Sequence, residues 1–214
     1  MDKIEKFYPE YLEALLNGDR RHCASIVDEL IAARVDIRGV YTRLFKGTLY
    51  EVGSMWEHNQ ISVAVEHVAT GITESLMVKF YPQIFQAEQQ YGKAVIACVA
   101  SEYHQLGAKM VADIMELRGW QTLFLGANTP ADDLLQLVNK EGPQIIGLSL
   151  SIYFNLPQLE QLLTELSESA PHSHILVGGQ AFCHGGVDIF EQYRNVQYMS
   201  SIDNLDALLD QMEN

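Results

Sequence analysis

The stretch KAVIACVASEYHQLG, residues 93–107, decides the fold and the candidate site of this 214-residue chain. Its first part, AVIACVA (94–100), is a short and wholly apolar run, which is typical of a parallel strand buried on both faces. The polar SEYHQLG (101–107) follows, and the helical period of residues 107–118 comes next. A strand, a polar turn and a helix in this order predict the beginning of an α/β sheet.

The same alternation continues to the end of the chain. Further strand-like runs lie at 121–126, 144–150 and 174–179. Helical stretches lie at 131–139, at 156–167, near 186–193 and from 203 onward. Residues 92–214 are therefore predicted to form a flavodoxin-like (Rossmann-type), doubly wound parallel five-stranded sheet, with four of the strands assigned by these runs. Ligands of such sheets bind beyond the carboxyl ends of the strands, which here are residues 101–107, 126–130, 149–153 and 178–186.

The N-terminal part, residues 1–85, has a helical period throughout. Four amphipathic stretches with short joints predict a four-helix bundle, so that the fold class is α + α/β. The predicted helices are Lys3–Leu16, Asp19–Ala33, Asp36–Trp56 and Ser62–Phe80, the last of them stopped before Pro82. The polar residues 83–92 are the expected linker between the two domains.

Composition narrows the function classes. The net charge is −14, with the greater excess of acidic residues in the second half, whereas nucleic-acid binding requires a basic face. Direct nucleic-acid binding is therefore not expected. No apolar run has the length of a membrane span, and the N-terminus lacks the pattern of a signal peptide. Three widely spaced cysteines fit reduced thiols in a cytoplasmic protein.

His104 is the strongest candidate for a functional residue at the strand ends. Glu102, two residues earlier, can accept a hydrogen bond from one ring nitrogen, which makes the other nitrogen available to a metal. Gly107 permits close backbone approach where the helix begins. The other strand ends offer small groups that leave room for a bulky ligand, namely Ser149, Ser151, Gly178 and Gly179.

A zinc site is disfavoured because zinc takes three or four protein ligands. Near His104 only Glu102 is close in sequence, and His184 is the one other strand-end histidine. A metal held inside a macrocycle needs one axial ligand, which a single histidine can supply.

Other ligands of this fold class fit less well. The turn after the first strand is not the G-x-G-x-x-G of a dinucleotide site, and Ser149 stands where a receiver domain has its phosphate-accepting aspartate. Flavin binding stays open. A nucleophilic Cys183 activated by His184 is a minor alternative, because the sequence shows no group that would orient the base.

Taken in order, these residues resemble the cobalamin-binding domain, whose signature is D-x-H-x-x-G, then S-x-L, then G-G. The corresponding segments are EYHQLG (102–107), SLS (149–151) and GG (178–179). The helical part is similar to the cap bundle that precedes this domain. In one branch, the light-sensing cobalamin-dependent regulators, the cap carries a W…EH pattern, matched here by VGSMW (52–56) and ISVAVEH (61–67). The resemblance covers nearly the whole chain.

The resemblance implies a base-off cobalamin, with His104 replacing the cofactor's own dimethylbenzimidazole as lower cobalt ligand and Glu102 orienting it. Ser149 would hydrogen-bond the displaced base, and the glycine pair would make room for the nucleotide tail. Trp56 would cover the upper face of the cofactor. The implied cofactor-binding residues are Trp56, Val63, Glu66, His67, Glu102, Tyr103, His104, Gln105, Gly107, Ser149, Ser151, Tyr153, Gly178 and Gly179. His104 is the metal ligand, and no catalytic residue is implied.

Outside the resemblance, Trp56 alone would be read as a core aromatic of the bundle. Glu66 and His67 fit a core less well, because burying charge on an apolar helix requires a partner.

Three positions depart from the family pattern. Glu102 replaces the aspartate, which re-aims the hydrogen bond to His104 and is familiar in the light-sensing branch. Ser151 replaces the leucine of S-x-L and makes the slot more polar. In the light-sensing repressors a histidine follows the tryptophan directly and can capture cobalt after photolysis. Glu57 stands there in this chain, with His58 one residue further, which puts a bis-histidine adduct in doubt.

The family has two main uses, and neither makes the cobalamin protein itself an enzyme. In sensory proteins adenosylcobalamin lies under the W…EH cap, and light changes the packing of the bundle. In methyl-transfer systems the corrinoid protein shuttles a methyl group between separate partners. The cap and Glu102 favour the sensory use with adenosylcobalamin rather than methylcobalamin. The chain begins directly with the bundle, so the expected partner is a separate regulator, or a methyltransferase in the alternative; homo-oligomerisation stays open.

Overall fold

The computed structural model describes residues 2–183 and 185–213. They form two compact units, the first ending at Gln83 and the second beginning at Ile84. Of the helices within these described ranges, none is long and apolar enough to cross a bilayer.

The helical unit begins with two capped helices, α1 (Lys3–Leu16) and α2 (Arg20–Ala32). Asp2 caps α1 by accepting from the Ile4 N–H, and Asp19 caps α2 by accepting from the His22 N–H. Both caps satisfy backbone donors that have no partner inside a helix, which is why these two boundaries follow the sequence prediction so closely.

The predicted third helix is not uniform. It consists of α3 (Ile37–Gly39), a π-helical segment (Val40–Phe45) and α4 (Lys46–Glu57). The π-helical turn carries Tyr41 and Phe45, whose rings stack with a centroid distance of 5.8 Å in the core of the unit. Periodicity predicted one regular α-helix here, and that expectation is wrong in its middle turns.

The fourth helix also runs differently from the prediction. Helix α5 (Val63–Met77) is capped by Ser62 and continues through a 3-10 turn (Val78–Phe80) into a short α6 (Tyr81–Ile84). The expected stop before Pro82 is wrong, because proline is tolerated in the first turn of a helix, where no N–H is needed. The predicted four-helix bundle is confirmed as the architecture of this unit.

The second unit is a parallel sheet of five strands in the order β2-β1-β3-β4-β5. The strands are β1 (Lys93–Cys98), β2 (Gln121–Gly126), β3 (Ile145–Ser149), β4 (His174–Gly178) and β5 (Val196–Tyr198). The helices between and after them are α7 (Leu106–Leu117), α8 (Ala131–Glu141), α9 (Leu156–Ser169) and α10 (Ile202–Met212). The predicted doubly wound sheet is confirmed. The fifth strand lies where the sequence assigned none, because its three residues are too short to show a pattern.

The sheet is covered on both faces, as the apolar strands predict. Val95 and Ala97 of β1 face a core shared with α8 and α9. Ala94, Ile96 and Cys98 face the opposite core, which α7 and α10 complete. Strand order reverses between β1 and β3, so the crevice at their carboxyl ends is the topological switch point, the usual ligand position in this fold.

Candidate functional site

The candidate site lies at the switch point, where the loop that follows β1 meets the loop that follows β3. The first loop contains Glu102 and His104 and leads into α7. The second contains Ser151 and Ile152 and leads into α9. Because β1 and β3 are paired in parallel, with Cys98 opposite Ser149, both loops leave the sheet side by side.

His104 and Glu102 form a direct hydrogen bond. The ring Nδ1 of His104 lies 2.6 Å from Oε1 of Glu102, and the backbone N–H of His104 donates to the same oxygen at 2.9 Å. The Glu102 side chain is fully buried, whereas the His104 side chain is 59% exposed. The buried carboxylate therefore fixes the orientation of the imidazole ring through Nδ1. A metal bound by this histidine would be coordinated by the other ring nitrogen, Nε2.

The second oxygen of Glu102 is held by the neighbouring loop. Oε2 accepts from the backbone N–H groups of Ser151 at 2.7 Å and Ile152 at 2.9 Å. Burial by itself raises the pKa of Glu102, but the bonds from His104, Ile152 and Ser151 outweigh it and lower the pKa to about 2. A buried carboxylate with four hydrogen bonds is thus kept charged, and it ties the two loops together.

Ser149 and the glycine pair have structural neighbours of their own. Ser149 lies opposite Cys98 in the sheet; the Cys98 thiol donates to the His104 carbonyl at 3.8 Å, and burial and the charge of Glu102 raise the pKa of this thiol to about 12. Gly179 has φ +119°, and a Cβ there would lie 2.0 Å from the Leu150 carbonyl oxygen. Gly178 lies beside Met199, where a Cβ would be 3.2 Å from a carbonyl oxygen. The room that Gly179 provides is thus taken by the backbone of Leu150, directly after β3.

Exposed apolar side chains lie in the two loops that Glu102 connects. Tyr103 and Tyr153, both predicted from the sequence, are exposed, and so is Ile152. Phe154 is 86% exposed and was not predicted. Around Gly107 a Cβ would meet nothing within 4 Å, so the beginning of α7 is open. Exposed aromatic side chains beside one oriented histidine suit a large, flat and mostly apolar ligand.

Gln105 has a supporting role in the structure. Its Oε1 accepts a hydrogen bond from the Ala127 N–H at 3.1 Å. A Cβ added at Gly126 would lie 2.9 Å from the same Oε1 and would clash with it. Gln105 thus joins the loop of His104 to the loop after β2.

Two asparagines near His104 were missed by the sequence analysis. Asn128 lies in the strand-end stretch 126–130, and Asn155 directly precedes α9, at its N-cap position. Both hydrogen-bond the backbone of Ser101. The signal that could have found Asn128 is its position after Gly126, since asparagine is one of the few residues that readily adopt a positive φ in a turn.

In the helical unit, the four predicted cap residues lie at one hairpin. Trp56 is in the last turn of α4, and Val63, Glu66 and His67 are in the first turns of α5. Trp56 is 46% exposed, so it is not a core aromatic. Glu66 accepts from the Thr70 hydroxyl at 2.9 Å, and its other oxygen lies 3.6 Å from His67 Nε2. Both side chains reach solvent, in keeping with the expectation that this pair does not belong to a buried core.

The alternative nucleophile, Cys183 with His184, cannot be described as a pair. Cys183 is exposed, and His184 lies outside the described residues.

Two families of known proteins match this sequence. Residues 92–193 match the family described as the B12 binding domain, and residues 9–78 match a second family of the same description. The two matches correspond to the α/β unit and to the helical unit.

The similar proteins include a transcriptional repressor and corrinoid proteins. The HTH-type transcriptional repressor CarH of Myxococcus xanthus is 27% identical over 178 residues, which are 83% of this chain and 58% of CarH. This chain thus spans little more than half the length of that relative. Trimethylamine corrinoid protein 1 of Methanosarcina acetivorans is 21% identical over 184 residues, 84% of this chain and 85% of that protein.

The fold is also that of a solved corrinoid protein. The monomethylamine corrinoid protein of Methanosarcina barkeri matches with a TM-score of 0.82 and 15% identity, covering 96% of this chain and 97% of that chain. Since the two B12-binding matches account for most of both units, this chain belongs to the cobalamin-binding domain proteins.

Proposed function

We propose that this chain holds cobalamin base-off, with Nε2 of His104 as the lower ligand of cobalt. The observation that carries this proposal is the buried Glu102 carboxylate, which binds Nδ1 of His104 with one oxygen and two backbone N–H groups with the other. A histidine ligand whose second nitrogen is bound by a fixed carboxylate is the usual arrangement in metal sites. The cofactor, when bound, supplies a cobalt that carries an alkyl group.

The other side chains are assigned by the resemblance to the cobalamin-binding family. Tyr103, Gln105 and Gly107 lie directly beside His104 in the chain, and Tyr153 lies in the neighbouring loop after β3; these residues would surround the corrin ring. Ser149 and Ser151 would contact the displaced base, and Gly178 and Gly179 would border the nucleotide tail. Trp56, Val63, Glu66 and His67 would line the upper side of the cofactor.

Absorbance spectroscopy tests the binding mode. Purified protein mixed with adenosylcobalamin in the dark is expected to give a base-off, histidine-ligated spectrum. A spectrum identical to that of free, base-on cofactor at saturating protein would contradict the proposal.

We further propose that the protein is a sensory or regulatory module rather than an enzyme. The exposed Trp56 and the Glu66–His67 pair favour a bulky adenosyl group on the upper side, and similarity to the repressor CarH supports the same use. The upper ligand would bias the packing of the helical bundle between two states, which a protein partner then recognises.

A methyl carrier is the second candidate. It is favoured by the match to a corrinoid protein over 85% of that protein's length, compared with 58% for CarH. Illumination of the adenosylcobalamin complex separates the two functions. A sensor is expected to change both its spectrum and its elution volume in size-exclusion chromatography, whereas a light-inert complex that a partner methyltransferase methylates rapidly would favour the carrier.

Glu102→Gln is expected to weaken cobalamin binding by about 10- to 100-fold, the usual cost of losing a partner of a metal-bound histidine. Glutamine has nearly the same size as glutamate, but its NH2 group is a donor. It would face backbone N–H groups, which are also donors and which bind the carboxylate in the wild-type protein. Isothermal titration with cobalamin measures the loss. Glu141→Gln, which removes a carboxylate paired with Lys93 at 2.8 Å, is the matched control and should bind normally. Equal affinities of the two variants would show that Glu102 does not orient the ligand.

A further inference from the structure

The loop that carries His104 contains a residue in a conformation that serine rarely adopts. Ser101 has φ +66°, in the left-handed region, which is costly for residues other than glycine. Such a conformation persists only where surrounding contacts hold it. The contacts around Ser101 are therefore informative about what the loop is built to do.

Both backbone polar groups of Ser101 are bound by asparagine side chains. The N–H of Ser101 donates to Oδ1 of Asn128 at 2.8 Å, and its carbonyl accepts from Nδ2 of Asn155 at 3.1 Å. The backbone N–H of Asn128 also donates to the Glu102 carbonyl at 2.8 Å. Two asparagines from two different loops thus hold one residue, directly before the Glu102–His104 pair.

The two asparagines are suited to this task. Asn128 itself has φ +49°, a conformation that asparagine tolerates better than most residues. Asn155 is buried and occupies the N-cap position of α9, yet its side chain makes no cap bond to that helix. Asparagine is a favoured N-cap residue. Here the side chain of Asn155 binds the Ser101 carbonyl instead of capping α9, which indicates that the bond to the loop has priority over the helix cap.

We propose that Asn128 and Asn155 are positioning residues that hold Ser101 in its left-handed conformation and so preset His104 for an axial ligand bond before the cofactor arrives. This inference rests on the proposed function. A loop fixed in advance loses less conformational freedom on binding, which strengthens binding without any new contact to the ligand. The asparagines act through the backbone, so neither has to touch the cofactor.

The test compares Asn155→Ala and Asn128→Gly with Asn195→Ala. Glycine keeps the positive φ at position 128 and removes only the side-chain acceptor. Asn195 is the matched control, because its amide also donates to two backbone carbonyls, of Ala170 and Ser173, and these residues precede β4 and β5, at the amino ends of the strands. In the cofactor-free proteins, amide hydrogen exchange across residues 99–105 is expected to accelerate in the first two variants and to stay unchanged in the control.

The same proteins are then loaded with cobalamin in the Co(II) form. When the histidines of the protein are labelled with ¹⁵N, electron paramagnetic resonance reports a coordinated histidine by a doublet superhyperfine splitting, whereas the unlabelled nitrogen of the cofactor's own base would give a triplet. The first two variants are expected to show a reduced histidine-on fraction and about tenfold weaker binding, in the range found for partners of metal ligands, whereas Asn195→Ala keeps both. A purely structural role would lower the unfolding midpoint in all three variants without changing the splitting.

Two results would overturn the inference, and they have different consequences for the proposed function. If the wild-type protein shows a nitrogen splitting that His104→Ala removes, but both asparagine variants keep it with full affinity, the positioning role is wrong and the proposed function stands. If the wild-type protein shows no splitting from His104, both are wrong. Asn128 is exposed, so the Asn128→Gly variant decides the outcome even if Asn155→Ala does not fold.

Discussion

Cobalamin bound to the His104→Ala variant is expected to lose the histidine-ligated spectrum entirely, with an affinity reduced by at least the 10- to 100-fold seen for lesser changes at metal sites. The variant should still fold. In the wild-type protein Glu102 accepts four hydrogen bonds, and three of them come from backbone N–H groups that the substitution leaves in place. The buried carboxylate therefore keeps partners, and the loss falls on the ligand bond.

Absorbance titration in the dark, with circular dichroism as a check on folding, measures this effect. His174→Ala is the matched control, because His174 is exposed at the opposite, amino end of β4. It should bind cobalamin with the wild-type spectrum. Addition of free imidazole is expected to restore part of the ligated spectrum in His104→Ala, since the position of the ring is 59% exposed and therefore open to imidazole from solvent. A His104→Ala protein with an unchanged spectrum would show that another group binds the cobalt.

Gly179→Ala is expected to produce the largest loss of folding stability of any single methyl addition at the strand ends. Two costs add at this position. Alanine at φ +119° is strained by about 1–3 kcal/mol. Its Cβ would also lie 2.0 Å from the Leu150 oxygen, and relieving such overpacking by backbone movement costs about another 1–3 kcal/mol.

Gly185→Ala separates the two costs. Gly185 has nearly the same φ, +117°, but a Cβ there meets nothing within 4 Å. Urea denaturation of both variants should therefore show a larger loss of stability for Gly179→Ala, and the difference in the free energy of unfolding measures the clash with the Leu150 backbone alone. Equal losses would mean that the Leu150 backbone yields to the new methyl group, and that Gly179 is present for its backbone conformation only.

Much of the architecture could be predicted because it depends on local patterns. Helices α1 and α2 begin at aspartates that cap them, and four strands lie on continuous apolar runs. The failures also have local causes. The π-helical turn at Val40–Phe45 has the same apolar spacing as an α-helix, so the periodicity could not distinguish them. The fifth strand is too short to carry a pattern, and its place beside β4 is decided by pairing across the sheet.

For the candidate site too, some features follow from the local sequence and others only from the tertiary structure. The sequence by itself determined that a histidine with a nearby carboxylate follows β1, because two residues of separation already bring these side chains within reach. Only the tertiary structure decided what holds them: the backbone N–H groups of Ser151 and Ile152 on Glu102, and the amides of Asn128 and Asn155 on Ser101. These partners are 27 to 54 residues away in the chain. They meet because parallel strands bring the loops after β1, β2 and β3 to one edge, and no local pattern records that meeting.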